Sequence, residues 1–175
     1  MKISTKTGDK GTCGLMFGER ISKASLRVNT YGSVDELCAA LGLARALCQD
    51  ANLNEKILDV QNTLIKLMTE LATSPKNHHL LAEKNIAVLG EADLSKIEAQ
   101  ISEIEAGGDT FKGWKMAGSN QLEANLNFAR AICRKAERML VELEEKEGKS
   151  GEFNLKYLNR LSDLIYLWSL QALKD

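Results

Sequence analysis

Long apolar runs are missing from this 175-residue chain. No stretch of about 18 apolar residues occurs, which excludes a membrane-spanning helix. Met1-Lys2-Ile3-Ser4 lacks the apolar core of a secretory signal, so cytoplasmic residence is expected. Paired cysteines are missing too: Cys13, Cys38, Cys48 and Cys133 show no C-x-x-C spacing, and in a reducing compartment such thiols stay free. Histidine is confined to the adjacent His78 and His79. With no spaced partners they read as loop residues, and no protein metal centre is expected. A net charge of −1 excludes a generally basic nucleic-acid or membrane-surface protein. Alternation of β-branched and aromatic residues is absent, which argues against a sheet.

What is present suits one ordinary globular domain over residues 1–175: 44% hydrophobic and 27% charged residues. The charge is unevenly placed. Residues 1–27 hold six Lys/Arg against two Asp/Glu. Residues 1–26 form an N-terminal segment containing Thr5-Lys6-Thr7-Gly8-Asp9-Lys10-Gly11-Thr12-Cys13-Gly14. Its glycines let a ligand approach backbone N–H groups, and its lysines and hydroxyls complete an anion cradle, with polyphosphate the obvious ligand. The Walker A pattern G-x-x-x-x-G-K-[ST] is absent, and no βαβ pattern follows. The plainer alternative is a flexible tail carrying turn residues.

Residues 27–175 read as helices. Tyr31, Val34, Cys38, Leu41 and Leu47 mark the first, about 28–48, with Gly32 and Gly42 as weak spots. Ile57, Val60, Leu64, Met68 and Leu71 mark the second, about 53–73, ended by Ser74-Pro75. Residues 76–90 read as irregular. A third helix covers about 91–104. The fourth and longest starts near Asn120, where Ser119 or Asn120 can cap it and Glu123 fits a capping box. The fifth covers about 153–173. Together they predict an all-α, five-helix up-and-down bundle.

On the fourth helix Arg130, Arg134 and Arg138 recur at i, i+4, i+8. Stacked like charges repel by a few tenths of a kcal/mol per pair, so an anion is expected to compensate. Planar guanidinium forks suit phosphate. The competing reading is a solvated face paired with Glu123 or Glu142. The fifth helix places Asn159, Ser162 and Asp163 on one side, and Asp35 stands in the first helix.

These blocks, in order along nearly the whole chain, resemble one family. They are Thr5-Lys6-Thr7-Gly8-Asp9-Lys10-Gly11-Thr12, Lys23 before Arg27, Tyr31-Gly32-Ser33-Val34-Asp35-Glu36-Leu37, Arg130-x-x-x-Arg134-Lys135-Ala136-Glu137-Arg138 and Asn159-Arg160-Leu161-Ser162-Asp163. The family is the ATP:cob(I)alamin adenosyltransferases of the propanediol-utilisation type. The resemblance implies a ferritin-like bundle assembled as a homotrimer, with active sites between subunits. It implies transfer of the 5′-deoxyadenosyl group of ATP to cob(I)alamin, giving adenosylcobalamin and triphosphate, with Mg²⁺ as cofactor. It places Thr5, Lys6, Thr7, Gly8, Cys13, Gly14 and Lys23 at the phosphates. Arg130, Arg134, Glu137, Arg138 and Asn159 would bind or orient ATP and its Mg²⁺ from the neighbouring subunit. Asp35 would pair with Arg130 and shape the cobalamin side, and Arg130, Arg134 and Asp35 are the expected catalytic set. A cob(II)alamin reductase and a cobalamin-dependent acceptor enzyme are the expected protein partners; nucleic acid and membrane are not.

The chemistry suits these residues, because reduced cobalt is itself the nucleophile and the protein need only position and stabilise charge. The chain departs from the family pattern at Cys13, Cys38 and Lys135, and at Trp114-Lys115-Met116-Ala117-Gly118, where an aromatic-x-Leu-Pro-Gly is usual. Trp114 is expected to take the family aromatic's place at the lower cobalt face, with Phe111 the nearest alternative and closure of a hydrophobic loop its plainer reading. The alternative function is an ATP-binding cobalamin chaperone or sensor without turnover; a purely structural bundle would leave both basic clusters unexplained.

Overall fold

Helices begin where short polar side chains can cap them. The computed structural model describes residue 4 and residues 6–108, 113 and 116–173, so the expectations for Thr5, Phe111 and Trp114 lie outside the described residues. Helix α1, Leu26–Leu47, starts two residues earlier than its apolar periodicity suggests, because the Ser25 side chain accepts from the Val28 N–H. Gly32 and Gly42 do not interrupt it. At Gly42 the missing side chain lets α2 come close: a Cβ there would lie 3.4 Å from Gln61 Nε2, and that amide donates to the Cys38 carbonyl at 2.9 Å. Helix α2, Ala51–Leu71, is capped by Asp50, which accepts from Asn52 N–H at 2.9 Å. Ile57, Leu64 and Leu71 of its expected stripe are fully buried.

After Pro75 the chain makes a tight turn and then a five-residue helix, α3 (His79–Glu83), in the stretch expected to be irregular. The described residues therefore hold six α-helices, the five expected plus this short one. Helix α4 is Glu91–Ala106, α5 Gln121–Glu147 and α6 Asn154–Gln171. At α5 the cap is Asn120, whose Oδ1 accepts from Glu123 N–H at 2.8 Å. The buried Glu123 carboxylate reaches past Asn120 to the N–H groups of Gly118 and Ser119, at 2.7 and 3.1 Å. It thus fixes the entry into the helix more firmly than a simple capping box would.

Helix α1 packs against α2 and α5, α5 against α6, and α6 against α4. The pairs Thr30 with Met139 and Glu36 with Lys135 show α1 and α5 running antiparallel. Leu37, Leu41, Leu126, Leu140, Leu158 and Ile165 fill the shared interior. Each contributes roughly 1.5–3 kcal/mol through burial, which makes this core the rigid frame for whatever α5 and α6 present outward.

The N-terminal segment corrects one expectation. It forms a two-stranded antiparallel ribbon, β1 (Thr12–Gly14) with β2 (Arg20–Ser22), in the register Thr12↔Ser22, Cys13↔Ile21, Gly14↔Arg20. Strands of three residues are too short to print an alternation in the sequence. The ribbon docks on the end of α2. Leu15 is buried and Met16 N–H donates to the Ala72 carbonyl at 2.8 Å. Buried Arg27 donates from Nη1 to the carbonyls of Leu71 and Thr73, both at 2.8 Å, and from Nη2 to Glu147 Oε2 at 2.7 Å. One guanidinium thus satisfies the last carbonyls of α2 and ties them to the end of α5. Glu19 accepts from Ser74 Oγ and pairs with Lys76 at 3.0 Å; these two bonds hold its carboxyl below the usual range.

Candidate active site

Two basic surfaces face outward from this frame. The first is the turn before β1. Gly11 N–H donates to the Gly8 carbonyl at 3.1 Å and Lys23 N–H to the Gly11 carbonyl at 2.9 Å. Gly11, at φ 76°, takes a conformation that favours glycine, while Lys6 adopts a positive φ of 57° without that freedom. Gly8 is small for a different reason: a Cβ there would sit 2.9 Å from Lys23 Nζ. The Lys23 ammonium therefore lies directly over the turn. Sequence reasoning placed Lys6, Thr7, Gly8 and Lys23 at one anion site, and the fold does bring Lys23 onto Gly8 across fifteen residues of chain. Cys13 Sγ lies 3.6 Å from Tyr31 Oη, joining β1 to α1; burial, then Cys13, pushes the Tyr31 phenol up to about 12. Gly14 is exposed beside it.

The second surface is the α5–α6 face. Arg130 Nε donates to Asn127 Oδ1 at 3.2 Å, and its guanidinium stands 5.8 Å from the Tyr166 ring centre. Glu137 Oε1 accepts from Asn159 Nδ2 at 2.9 Å, and Asn159 Oδ1 accepts from Arg160 Nη1 at 2.6 Å. Glu137 and Asn159, predicted from different helices, are thus brought together. Arg134 and Arg138 are exposed, and among the described residues neither has a hydrogen bond or ion pair within the chain. The two carboxylates that could have neutralised the stripe are engaged elsewhere: Glu123 accepts from Asn127 Nδ2 at 2.6 Å, and Glu142 pairs with Lys146 at 2.6 Å. Asp163 completes the face. Burial raises its carboxyl above the usual range against the opposing pull of Arg160 and Arg134. Beside it, Arg160, Asp163 and Tyr166 line a concavity of about 430 Å³ with Ile101, Glu105 and Leu167 of the α4–α6 side.

Other expected residues stand apart. Asp35 is exposed on α1, and among the described residues no ion pair joins it to Arg130 within one chain. Its neighbour Glu36 instead pairs with Lys135 at 2.8 Å. Ser162 is buried and donates to the Asn159 carbonyl at 2.9 Å, so it supports α6 and does not face a ligand. Among the described residues no three His, Cys, Asp or Glu side chains converge as a metal cage. Arg20, Tyr31 and Tyr166 were not predicted as parts of these surfaces. Two signals could have flagged them: the place of Tyr31 at the head of the Tyr31–Leu37 block, and the proximity of Arg20 to the glycine-rich segment.

The sequence matches the model of the cobalamin adenosyltransferase family over residues 3–172. The chain belongs to that family. The corrinoid adenosyltransferase PduO of Salmonella typhimurium is 36% identical over 171 residues, covering 95% of this chain; the chain spans only 48% of that relative's length. The corrinoid adenosyltransferase of Citrobacter freundii is 34% identical over 165 residues, covering 94% of this chain and 91% of the relative. Among solved structures, a variant PduO-type ATP:corrinoid adenosyltransferase from Lactobacillus reuteri, complexed with cobalamin and ATP, superposes with a TM-score of 0.87 at 28% identity. The superposition covers 99% of this chain and 94% of that one. Another variant of the same enzyme, complexed with ATP, gives a TM-score of 0.85 at 28% identity. These two solved structures share this chain's fold over nearly its whole length.

Proposed function

We propose that the chain transfers the 5′-deoxyadenosyl group of ATP to cob(I)alamin, yielding adenosylcobalamin and free triphosphate. The observation that carries this reading is the pair of outward-facing basic surfaces, Lys23 over the Gly8 turn and Arg134 with Arg138 on α5, in a chain of this family. The reduced cobalt of the substrate is the nucleophile and attacks C5′; the bond from C5′ to the triphosphate oxygen breaks, and its electron pair leaves with triphosphate. The side chains then have two tasks. They hold C5′ in line with cobalt, and they stabilise negative charge on the leaving oxygens. Lys6, Thr7, Lys23 and the N–H groups of the turn would cradle the phosphates, joined by Thr5, Cys13 and Gly14. Arg130, Arg134 and Arg138 would face the same chain of oxygens, with Asn159 fixing the orientation of Glu137.

A magnesium ion fits this donor set. Glu137 is a single carboxylate already oriented by Asn159, and Mg²⁺ is commonly held by one or two carboxylates plus substrate phosphates and water. Bound there, the ion would offset triphosphate charge. Trp114 is assigned to the lower face of cobalamin, and Asp35 to the corrinoid side.

Among the described residues no hydrogen bond or ion pair links the Lys6–Lys23 turn to the α5 arginines within one chain. A homotrimer in which the two surfaces come from adjacent subunits accounts for that separation. Leu43 and Phe128, each 56% exposed on the packed helices α1 and α5, offer apolar surface for a second copy. An anaerobic assay with ATP, Mg²⁺ and chemically reduced cobalamin, followed by the cobalt absorbance, tests the reading. Formation of adenosylcobalamin and triphosphate is expected. Tight ATP binding with no adenosylcobalamin would refute turnover and favour a chaperone or sensor.

A further inference from the structure

We propose that Arg20 is the positioning residue of the phosphate turn: its guanidinium clamps the two feet of the loop and sets the geometry in which triphosphate is held. Its Nη2 donates to the Thr7 carbonyl at 2.6 Å, to the Thr12 carbonyl at 3.2 Å and to Thr12 Oγ1 at 2.6 Å. Thr7 precedes the turn and Thr12 follows it, so one nitrogen spans the mouth of the Gly8–Gly11 segment. No other side chain among the described residues bonds to both feet.

The clamp has a counterpart on the opposite side. Arg20 opens β2 and is paired with Gly14 across the ribbon, while Lys23, just past the end of β2, binds the Gly11 carbonyl and lies over Gly8. The two cations therefore leave the same short strand and divide the work. Lys23 presents charge to the ligand; Arg20 ties backbone to backbone. Arginine suits the second task because its planar guanidinium holds Nη2 in a fixed direction at the end of a long side chain, which a lysine ammonium on a flexible stem does not reproduce. Strain points the same way. Lys6 sits at φ 57°, a conformation a non-glycine residue keeps only where the surroundings impose it, and it immediately precedes the residue that Arg20 holds. The inference rests on the proposed ATP reading for its kinetic consequence and on geometry alone for the clamp.

Amide hydrogen exchange on the ATP-free protein tests the clamp directly. In Arg20→Ala the amides of residues 8–12 should exchange faster, while those of α1 and α5 keep their protection. Kinetics test the consequence. Losing charge-assisted bonds should raise the KM for ATP roughly tenfold or more, with the KM for cobalamin and the melting midpoint unchanged. Arg20→Lys should resemble Arg20→Ala, because charge is retained and the clamp is lost. Thr12→Val removes one acceptor while keeping the branched shape, and its loss should be strongly non-additive with Arg20→Ala because both remove the same bond. Unchanged exchange in Arg20→Ala, full rescue by lysine, or strict additivity with Thr12→Val would each overturn the proposal. A wild-type protein that binds no ATP would instead remove the functional reading, a result the exchange measurement cannot be confused with.

Discussion

Replacing Glu70 with glutamine should remove most of the pH dependence of stability between pH 4.5 and 7. Glu70 lies on the last turn of α2 and is 4% exposed. Its Oε1 accepts from the Leu89 N–H at 2.8 Å, and its Oε2 sits against the Asn154 amide in a space that a Cβ on Gly151 would enter. Burial, partly opposed by the Leu89 and Asn154 bonds and reinforced by the Asp93 charge, pushes its carboxyl from 4.5 to about 7. The fold therefore holds a proton that the unfolded chain releases near pH 4.5. Stability from this group is complete below that pH and falls as pH rises toward 7, because the native state binds more protons there. At ~1.4 kcal/mol for each step of one in pKa, the loss is about 3 kcal/mol. Asp93, held below its usual range by Lys66 and the Gly90 N–H in spite of burial, acts in the opposite sense and only at lower pH. Glutamine keeps an acceptor for Leu89, and its NH2 bonds Asn154 once that amide turns to present Oδ1, which has no partner among the described residues, in place of the Nδ2 that faces Glu70 Oε2. Urea unfolding followed by helical circular dichroism, at fixed protomer concentration from pH 4.5 to 8, should show a falling stability for the wild type and a nearly flat one for Glu70→Gln. Parallel slopes in the two proteins would refute the argument.

Three further outcomes follow from the same geometry. Arg134→Ala should abolish turnover with the helical content unchanged, since the exposed side chain holds no structural bond; near-normal turnover in a folded variant would remove the arginine stripe from the site. Mixing Lys23→Ala with Arg134→Ala chains should restore part of the activity, because a mixed trimer can assemble an interface with both wild-type halves, and verified mixed trimers without recovery would place the site in one chain. Gly151→Ala should destabilise by roughly 1–3 kcal/mol, measured as a fall in the urea midpoint. A Cβ there meets Glu70 Oε2 and Asn154 Nδ2, and an unchanged midpoint would mean that this junction yields freely.

Periodicity was enough to find five of the helices because each buries a stripe of leucine and isoleucine, and the pattern survives in the sequence whatever it packs against. Helix α3 has only five residues, fewer than two turns, so it cannot repeat a pattern. The ribbon escaped for the same reason. Gly42 read as a weak point because a glycine in a helix costs about 1 kcal/mol on its own; its reason is the approach of Gln61 from α2, a contact that only the folded pair creates.

The site was legible in its residue types and much less in their division of labour. Six basic residues in 1–27 read as one electrostatic cluster, yet three of them do unlike things. Lys23 stands over the turn, Arg20 spans its feet, and Arg27 is 2% exposed and bonded to two carbonyls and a carboxylate. Removing Arg27 would leave Glu147 and the end of α2 without their partner, so its loss should appear as unfolding and not as a selective loss of nucleotide binding. Charge alone cannot separate these roles, because a buried guanidinium and a ligand-facing one have the same letter in the sequence. What separates them is the number of acceptors the fold has already supplied. By that measure Arg27 is satisfied, Arg20 is engaged through Nη2 by the loop it shapes, and Arg134 with Arg138 are left facing outward. An anionic ligand shared with a second copy is the arrangement that completes them.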